Sequence, residues 1–349
     1  IEYANHPLDR RVEITPSETP RPADALRVSF VGAGNFAQTY LLPHVKANKR
    51  VSLSCVVTRA GGNAKKLAEK HGFSACSTDI ADVTDDSTNA IFVATRHNTH
   101  GSITIQALRA GKHVFVEKPL SLNLEDLLEV EEAYADGSTL LQVGFNRRFA
   151  PLTAWARDVL SSREGAASLI YRINAGQIPS SHWVHDPVEG GGRILGEVCH
   201  FVDFAQHILG GRFRSVFAQH LRGGDPALER ENVHIQLLCE NGSAATIVYS
   251  ANGDAAMEKE RIEILKGGLS IVIEDFRRGW SFWENRRRKA SARPGKGHSQ
   301  EVVAFLEAIT SGSPAPIPFD EIIHTTRATF AILESLNKGL PIDPADLGG

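Results

Sequence analysis

The stretch Leu26-Arg27-Val28-Ser29-Phe30-Val31-Gly32-Ala33-Gly34-Asn35-Phe36-Ala37 decides the fold. Its first six residues read as a short apolar strand and its glycines as a turn, after which Phe36, Tyr40, Leu41 and Val45 recur at roughly helical spacing. A glycine turn between a first strand and a first helix suits a dinucleotide. Gly32 permits the tight turn, Gly34 lets backbone approach a pyrophosphate, Ala37 allows close helix packing, and the helix N-terminus offers unpaired N–H groups.

Downstream the same alternation repeats. Strands are expected at Val51 to Val57, Ala90 to Ala94, His113 to Glu117 and Leu140 to Phe145, with helices between them stopped by Gly72 and Gly111 and another capped by Ser121. Strands alternating with helices of this length imply parallel pairing through right-handed crossovers, hence an α/β Rossmann domain with a doubly wound sheet over residues 26–150. Upstream, residues 1–25 carry Pro7, Pro16, Pro20 and Pro22 without periodicity and read as a linker or surface arm.

From residue 151 the pattern changes. A strand near Ser168 to Asn174 and the loop Gly190-Gly191-Gly192 precede a helix from about Glu197 to Leu209. Alternating strands follow, joined by Asn241-Gly242 and Gly267-Gly268 hairpin signals, and helices near Ser299 to Thr310 and Asp320 to Leu336 finish the chain. Residues 151–349 are therefore expected to form an α+β substrate and oligomerisation domain with an open, mainly antiparallel sheet.

The 349 residues hold 38 Lys plus Arg against 41 Asp plus Glu, a formal charge of -3 that supplies no basic excess for nucleic acid or an anionic membrane. No apolar run approaches the roughly 18 residues of a spanning helix. Cys55, Cys76, Cys199 and Cys239 form no Cys-x-x-Cys pair, which speaks against a disulfide framework or a zinc cage and fits a cytoplasmic location. The chain begins at Ile1 and its one methionine is Met257, which points to a processed product or a fragment of something longer.

Three further places carry chemistry. Thr58-Arg59 stands where an NAD site offers an acidic side chain to the ribose, and a hydroxyl with a guanidinium suits the extra phosphate of NADP. Glu117-Lys118-Pro119 follows a parallel strand into the crevice where open α/β sheets bind ligands, so Lys118 can polarise or protonate a substrate oxygen. On the helix after the glycine loop, Glu197 precedes His200 by three residues, close enough to raise the imidazole pKa and orient a base. His182, Trp183 and His185 add polar and aromatic groups suited to a sugar. The basic run from Arg277 to Lys296 reads as a mobile solvated loop or a phosphate contact.

Together with Ala94-Thr95-Arg96-His97-Asn98-Thr99-His100, Ala110 to Leu120 and Gly144-Phe145-Asn146-Arg147-Arg148-Phe149, these residues resemble the Gfo/Idh/MocA family over about Leu26 to Ile342. The resemblance implies NAD(P) between a Rossmann domain and an open-faced sheet domain, with cofactor contacts at Gly32, Gly34, Asn35, Phe36, Thr58, Arg59, Thr95, His97, His100, Glu117 and Lys118. It implies the lysine of the Glu-Lys-Pro motif, Lys118, at the reacting carbon, and the residues themselves point to proton transfer by Lys118 and His200 with Glu197 tuning the latter, to substrate contacts at Asn146, Arg148, His182, Trp183 and His185, and to no metal. Two positions depart from the family pattern: Arg96-His97 replaces Pro-Asn, and Gly196 stands where an aspartate is usual. The stretch from His182 to His200 is similar to a branch fused to a zinc-type alcohol dehydrogenase module. The expected activity is hydride transfer between nicotinamide and a secondary alcohol or ketone of a sugar, cyclitol or sugar nucleotide. The alternatives are a redox-neutral enzyme that retains its cofactor for elimination, epimerisation or glycoside cleavage, and a non-catalytic cofactor-binding module. The partners expected are a small-molecule substrate and a further copy of the chain, with no nucleic acid and no membrane.

Overall fold

The computed structural model describes residues 10–14, 25–134, 139–222 and 230–347. The first sheet contains β1 (Arg11–Glu13), β2 (Leu26–Val31), β3 (Val51–Val57), β4 (Ala75–Ser77), β5 (Ala90–Val93), β6 (His113–Val116) and β7 (Leu141–Val143). Their order is β1-β4-β3-β2-β5-β6-β7, parallel throughout except for β1, which pairs antiparallel with β4. The order reverses between β2 and β5, so the glycine turn that leaves β2 sits at the switch point. The expected arm thus contributes an edge strand, and most of residues 1–25 lies outside the described residues.

Local departures from the expected elements have local causes. The helix after the glycine turn opens with one widened turn over Ala37–Leu41 before Leu42–Ala47 continues as α-helix. Pro43 has no N–H to give the preceding turn, which removes one rung of the regular ladder there. The cap of the helix Leu124–Ala133 is Asn123 rather than Ser121, since the Asn123 Oδ1 accepts from the Asp126 N–H at 2.7 Å.

The second sheet comprises β8 (Ser168–Asn174), β9 (Phe213–His220), β10 (Asn232–Cys239), β11 (Ala244–Ser250), β12 (Glu260–Lys266), β13 (Leu269–Glu274), β14 (Arg278–Trp283) and β15 (Arg286–Lys289). The order is β15-β14-β13-β12-β8-β11-β10-β9, with only β8 and β11 parallel. Alternation along β10 and β11 buries Val233, Ile235, Leu237, Ile247 and Tyr249 on one face. That face meets the helix Cys199–Leu209, whose Phe201 and Phe204 rings pack edge-on against Tyr171 at 5.0 and 5.2 Å. The opposite face exposes Ile170, Leu265 and Phe282. Most of the basic run is not a loop. Up to Lys289 it forms β14 and β15, with only residues 290–297 as a connecting segment, and the exposed Arg286 to Lys289 strand keeps a charged edge on the sheet.

The C-terminal helices cross the expected domain boundary. His298–Ser311 packs on the first sheet, where Phe305 lies edge-on to Phe92 and Phe115 at 5.7 Å. Phe319–Lys338 buries Ile322 and Ile323 with the first core and Ala328, Ala331 and Ile332 with the second, tying the two together. Among the described residues no helix is long and apolar enough to cross a membrane.

Candidate active site

Gly32 and Gly34 do different work in the first turn. Gly32 has φ +81°, and a Cβ there would lie 2.5 Å from the Ala94 carbonyl oxygen, so the backbone of β2 presses directly on the end of β5. Gly34 faces open space, with nothing within 4 Å of a Cβ among the described residues. Asn35 and Phe36 are exposed beside it, as is Arg59 at the end of β3. The Thr58 hydroxyl donates to the Ala60 carbonyl at 2.9 Å, leaving its lone pairs outward. An open glycine turn at a helix start, with no acidic side chain at Thr58-Arg59, fits the phosphates of a dinucleotide.

Past the end of β6 the Lys118 side chain enters a cavity of about 460 Å³ between the two sheets. Lys118, His97, His182, Trp183, Glu197 and His200 line it together with Arg147, Arg193, Phe201 and Lys259. The Lys118 ammonium donates to the Gly196 carbonyl at 2.8 Å. His97 Nδ1 stands 2.8 Å from the Gly190 carbonyl, and because a carbonyl only accepts, that nitrogen carries the proton. Burial, reinforced by Lys118, pushes the His97 pKa down to about 3. His100 is buried beneath it, Nδ1 2.8 Å from the Pro119 carbonyl, and burial lowers it to about 4. Thr95 accepts from the Thr99 hydroxyl at 2.7 Å. Glu117 is buried below Lys118, against Gly144, and burial raises its carboxyl to about 7.

The expectation that Glu197 raises the His200 pKa is corrected by the geometry. Glu197 accepts from Arg193 Nε at 2.8 Å and from the Tyr249 hydroxyl at 3.0 Å, so its oxygens turn away from the histidine. The helix also begins with a widened turn over Ile194–Val198, which breaks the spacing that would have stacked the two residues. Burial and the cations Arg147 and Lys118 hold His200 well below the usual imidazole range. Burial opposes ionisation of Glu197, but Arg193 outweighs it and keeps the carboxylate low.

Three of the expected substrate contacts lie outside the cavity lining. Arg148 is held by Asp203, with Nε 2.7 and 2.8 Å from its oxygens, and also pairs with Glu321. Asn146 donates to the Lys296 carbonyl at 2.7 Å, and His185 Nδ1 stands 3.2 Å from Glu231. The neighbour of Arg148 faces the cavity instead: Arg147 lines it while gripping buried Glu260 at 2.8 and 2.9 Å. Consecutive arginines on one tight turn point to opposite sides, and only the positions of Glu260 and Asp203 decide which faces the cavity. Arg193 and Lys259 carried no motif of their own. Among the described residues no group of three His, Cys, Asp or Glu side chains is placed to hold a metal.

Comparison with known proteins agrees with this architecture. The chain is 29% identical over 340 residues to scyllo-inositol 2-dehydrogenase (NAD(+)) of Bacillus subtilis, covering 91% of this chain and 96% of that one. It is 26% identical over 329 residues to inositol 2-dehydrogenase of Rhizobium meliloti, covering 90% and 98%. The crystal structure of levoglucosan dehydrogenase with NADH and L-sorbose has the same fold, with a TM-score of 0.80 at 21% identity over 91% of this chain and 98% of that one. Residues 26–145 match the model of the oxidoreductase family with an NAD-binding Rossmann fold, and residues 166–267 match the GFO/IDH/MocA C-terminal domain. With both halves matched in order over most of its length, the chain belongs to the Gfo/Idh/MocA family of oxidoreductases.

Proposed function

We propose that the protein is an NAD(P)-dependent dehydrogenase that moves hydride between nicotinamide and a secondary alcohol or ketone of a sugar, a cyclitol or a sugar nucleotide. The observation that carries the reading is the Lys118 ammonium at the mouth of the first domain, facing His97, His200 and Arg147 across one cavity. Its volume of about 460 Å³ suits one monosaccharide-sized ring beside a nicotinamide. When bound, the cofactor supplies the hydride acceptor or donor. Gly32, Gly34, Asn35 and Phe36 would hold its phosphates, and Thr58 and Arg59 its adenosine end, with a preference for NADP.

Lys118 holds a proton at Nζ and delivers it to, or withdraws it from, the substrate oxygen. His200 stays neutral and hydrogen-bonds the same oxygen or its neighbour, while Trp183 offers an apolar face to sugar C–H groups. Arg147 is a permanent cation held in place by Glu260 behind it, and it binds a hydroxyl or a phosphate as a donor. The relatives fit this class: the two from Bacillus subtilis and Rhizobium meliloti are inositol dehydrogenases, and another is D-xylose 1-dehydrogenase (NADP(+)) 2 of Haloferax volcanii.

The test is a survey of inositols, aldoses and sugar nucleotides with NAD and NADP, following nicotinamide absorbance. Stoichiometric reduction of cofactor supports the dehydrogenase. Product formation without net change in absorbance, with bound cofactor still essential, would replace it by the redox-neutral reading. Binding without any turnover would leave a cofactor-binding module. A cytoplasmic location, assembly through the open face of the second sheet and association with an alcohol dehydrogenase-like module belong to the same proposal, and native mass spectrometry of the protein from its cells tests the assembly.

A further inference from the structure

Gly196 and His97 share one space. A Cβ on Gly196 would lie 2.7 Å from His97 Cε1 and 3.3 Å from Nδ1, so the imidazole edge rests on the bare Cα of the glycine. Gly196 also gives its carbonyl to Lys118 at 2.8 Å, which brings the histidine and the lysine to the same residue. The ring cannot turn freely there. Its Nδ1–H is committed to Gly190, whose own Cα is packed so closely that a Cβ would lie 2.4 Å from the Trp183 carbonyl. The Trp183 ring stands 4.6 Å away at 72°, with Arg96 over it at 4.1 Å.

Apart from neutral His200, the lining is short of acceptors. Lys118, Arg147, Arg193 and Lys259 are donors only, and Glu197 is occupied by Arg193 and Tyr249. His182 Nδ1 accepts from the Val184 N–H at 3.3 Å, which leaves a donor on its other nitrogen. A polyol presents hydroxyl hydrogens as well as oxygens, and each buried one needs an acceptor. With Nδ1 protonated, neutral His97 offers the lone pair of Nε2, for which no hydrogen bond exists among the described residues.

We propose that His97 is a specificity-determining substrate contact, its Nε2 accepting a hydrogen bond from one hydroxyl of the sugar or cyclitol, in the space that Gly196 leaves by having no side chain. This rests on the sugar or cyclitol reading of the cavity, and it assigns His97 to substrate rather than to cofactor. A buried site that satisfies a substrate hydroxyl discriminates strongly against the analogue that lacks it, because the protein group is then left unpaired.

The experiment titrates the whole protein, saturated with NADH or NADPH, with myo-inositol, scyllo-inositol, D-glucose and D-xylose and with their monodeoxy analogues. Trp183 fluorescence is the readout, and Trp183→Phe identifies its signal. Wild type is expected to bind one parent compound about 10–100-fold more tightly than one of its deoxy analogues. His97→Ala is expected to bind the parent that much more weakly and to lose the discrimination, while His97→Gln, which keeps an acceptor, recovers part of it. Gly196→Ala, which leaves His97 in place but drives the ring off its seat, is expected to behave like His97→Ala. Nicotinamide affinity should stay within about twofold in all three, on the scale of an uninvolved site. Unchanged discrimination in His97→Ala overturns the proposal, and so does a loss confined to nicotinamide affinity. Wild-type protein that binds NADH but none of the polyols fails the underlying reading, a result distinct from either.

Discussion

The Lys118 ammonium of the first domain donates a 2.8 Å hydrogen bond to the Gly196 carbonyl of the second. This contact joins the two domains in the lining of the cavity. A ligand oxygen that replaces the carbonyl therefore exchanges one acceptor for another at the ammonium, which lowers the desolvation cost of binding.

Lys118→Ala is expected to lower kcat by about 10²–10⁴-fold, the usual contribution of a positioned acid–base group, with nicotinamide affinity nearly unchanged. Steady-state kinetics and fluorescence titration of reduced cofactor measure the two. Near-normal turnover in the variant would move the proton to another group.

His200 should contribute no acidic limb. Burial and the cations Arg147 and Lys118 disfavour the imidazolium and hold its pKa well below the ordinary imidazole value, so the ring is neutral across the neutral pH range. His200→Gln is expected to lower kcat/KM while leaving the shape of its pH profile in that window unaltered. A limb near the ordinary histidine value that vanishes in the variant would contradict the neutral ring.

Glu197→Gln should act on stability more than on the pH profile. Its folded pKa is depressed by Arg193, so its contribution is present above the unfolded value of about 4.3 and is lost as pH falls through the folded one. Urea unfolding is expected to show a deficit of about 1–3 kcal/mol for the variant at neutral pH, shrinking in acid. A constant deficit across pH would place the carboxylate's role elsewhere.

Glu301 predicts the opposite slope. Both its oxygens are buried without a partner among the described residues, and burial together with Glu117 and Asp203 raises its pKa well above normal. A raised carboxyl contributes stability below its unfolded value of about 4.3 and loses it as pH rises through the folded one. Glu301→Gln should therefore be more stable than wild type near pH 8 by about 1–3 kcal/mol, with the gain fading toward pH 4. Unfolding midpoints at both pH values decide it, and a variant less stable at pH 8 refutes it.

Arg59→Ala is expected to weaken NADP by about 10-fold more than NAD, as loss of one charge-assisted contact to a phosphate would. Isothermal titration with both cofactors checks this. Equal losses would mean that Arg59 stacks on adenine and that the preference has no basis at this residue.

The sequence by itself determined the plan of two domains. The Leu26–Ala37 stretch and the strand-helix alternation after it are local patterns, and so are the Asn241-Gly242 and Gly267-Gly268 hairpins that join β10 to β11 and β12 to β13. Lys118 was legible for the same reason, since its place follows from one strand end. The tertiary structure decided what depends on partners far along the chain. Arg147 rather than Arg148 faces the cavity because Glu260 and Asp203 sit on opposite sides of one turn. The Glu197 carboxylate turns to Arg193 and Tyr249, and the His298–Ser311 helix returns to the first core through Phe305. Periodicity reports which face of an element is buried, but the direction of a charged side chain is set by whichever opposite charge or unpaired donor the folded chain brings within about 3 Å, and sequence spacing does not encode that distance.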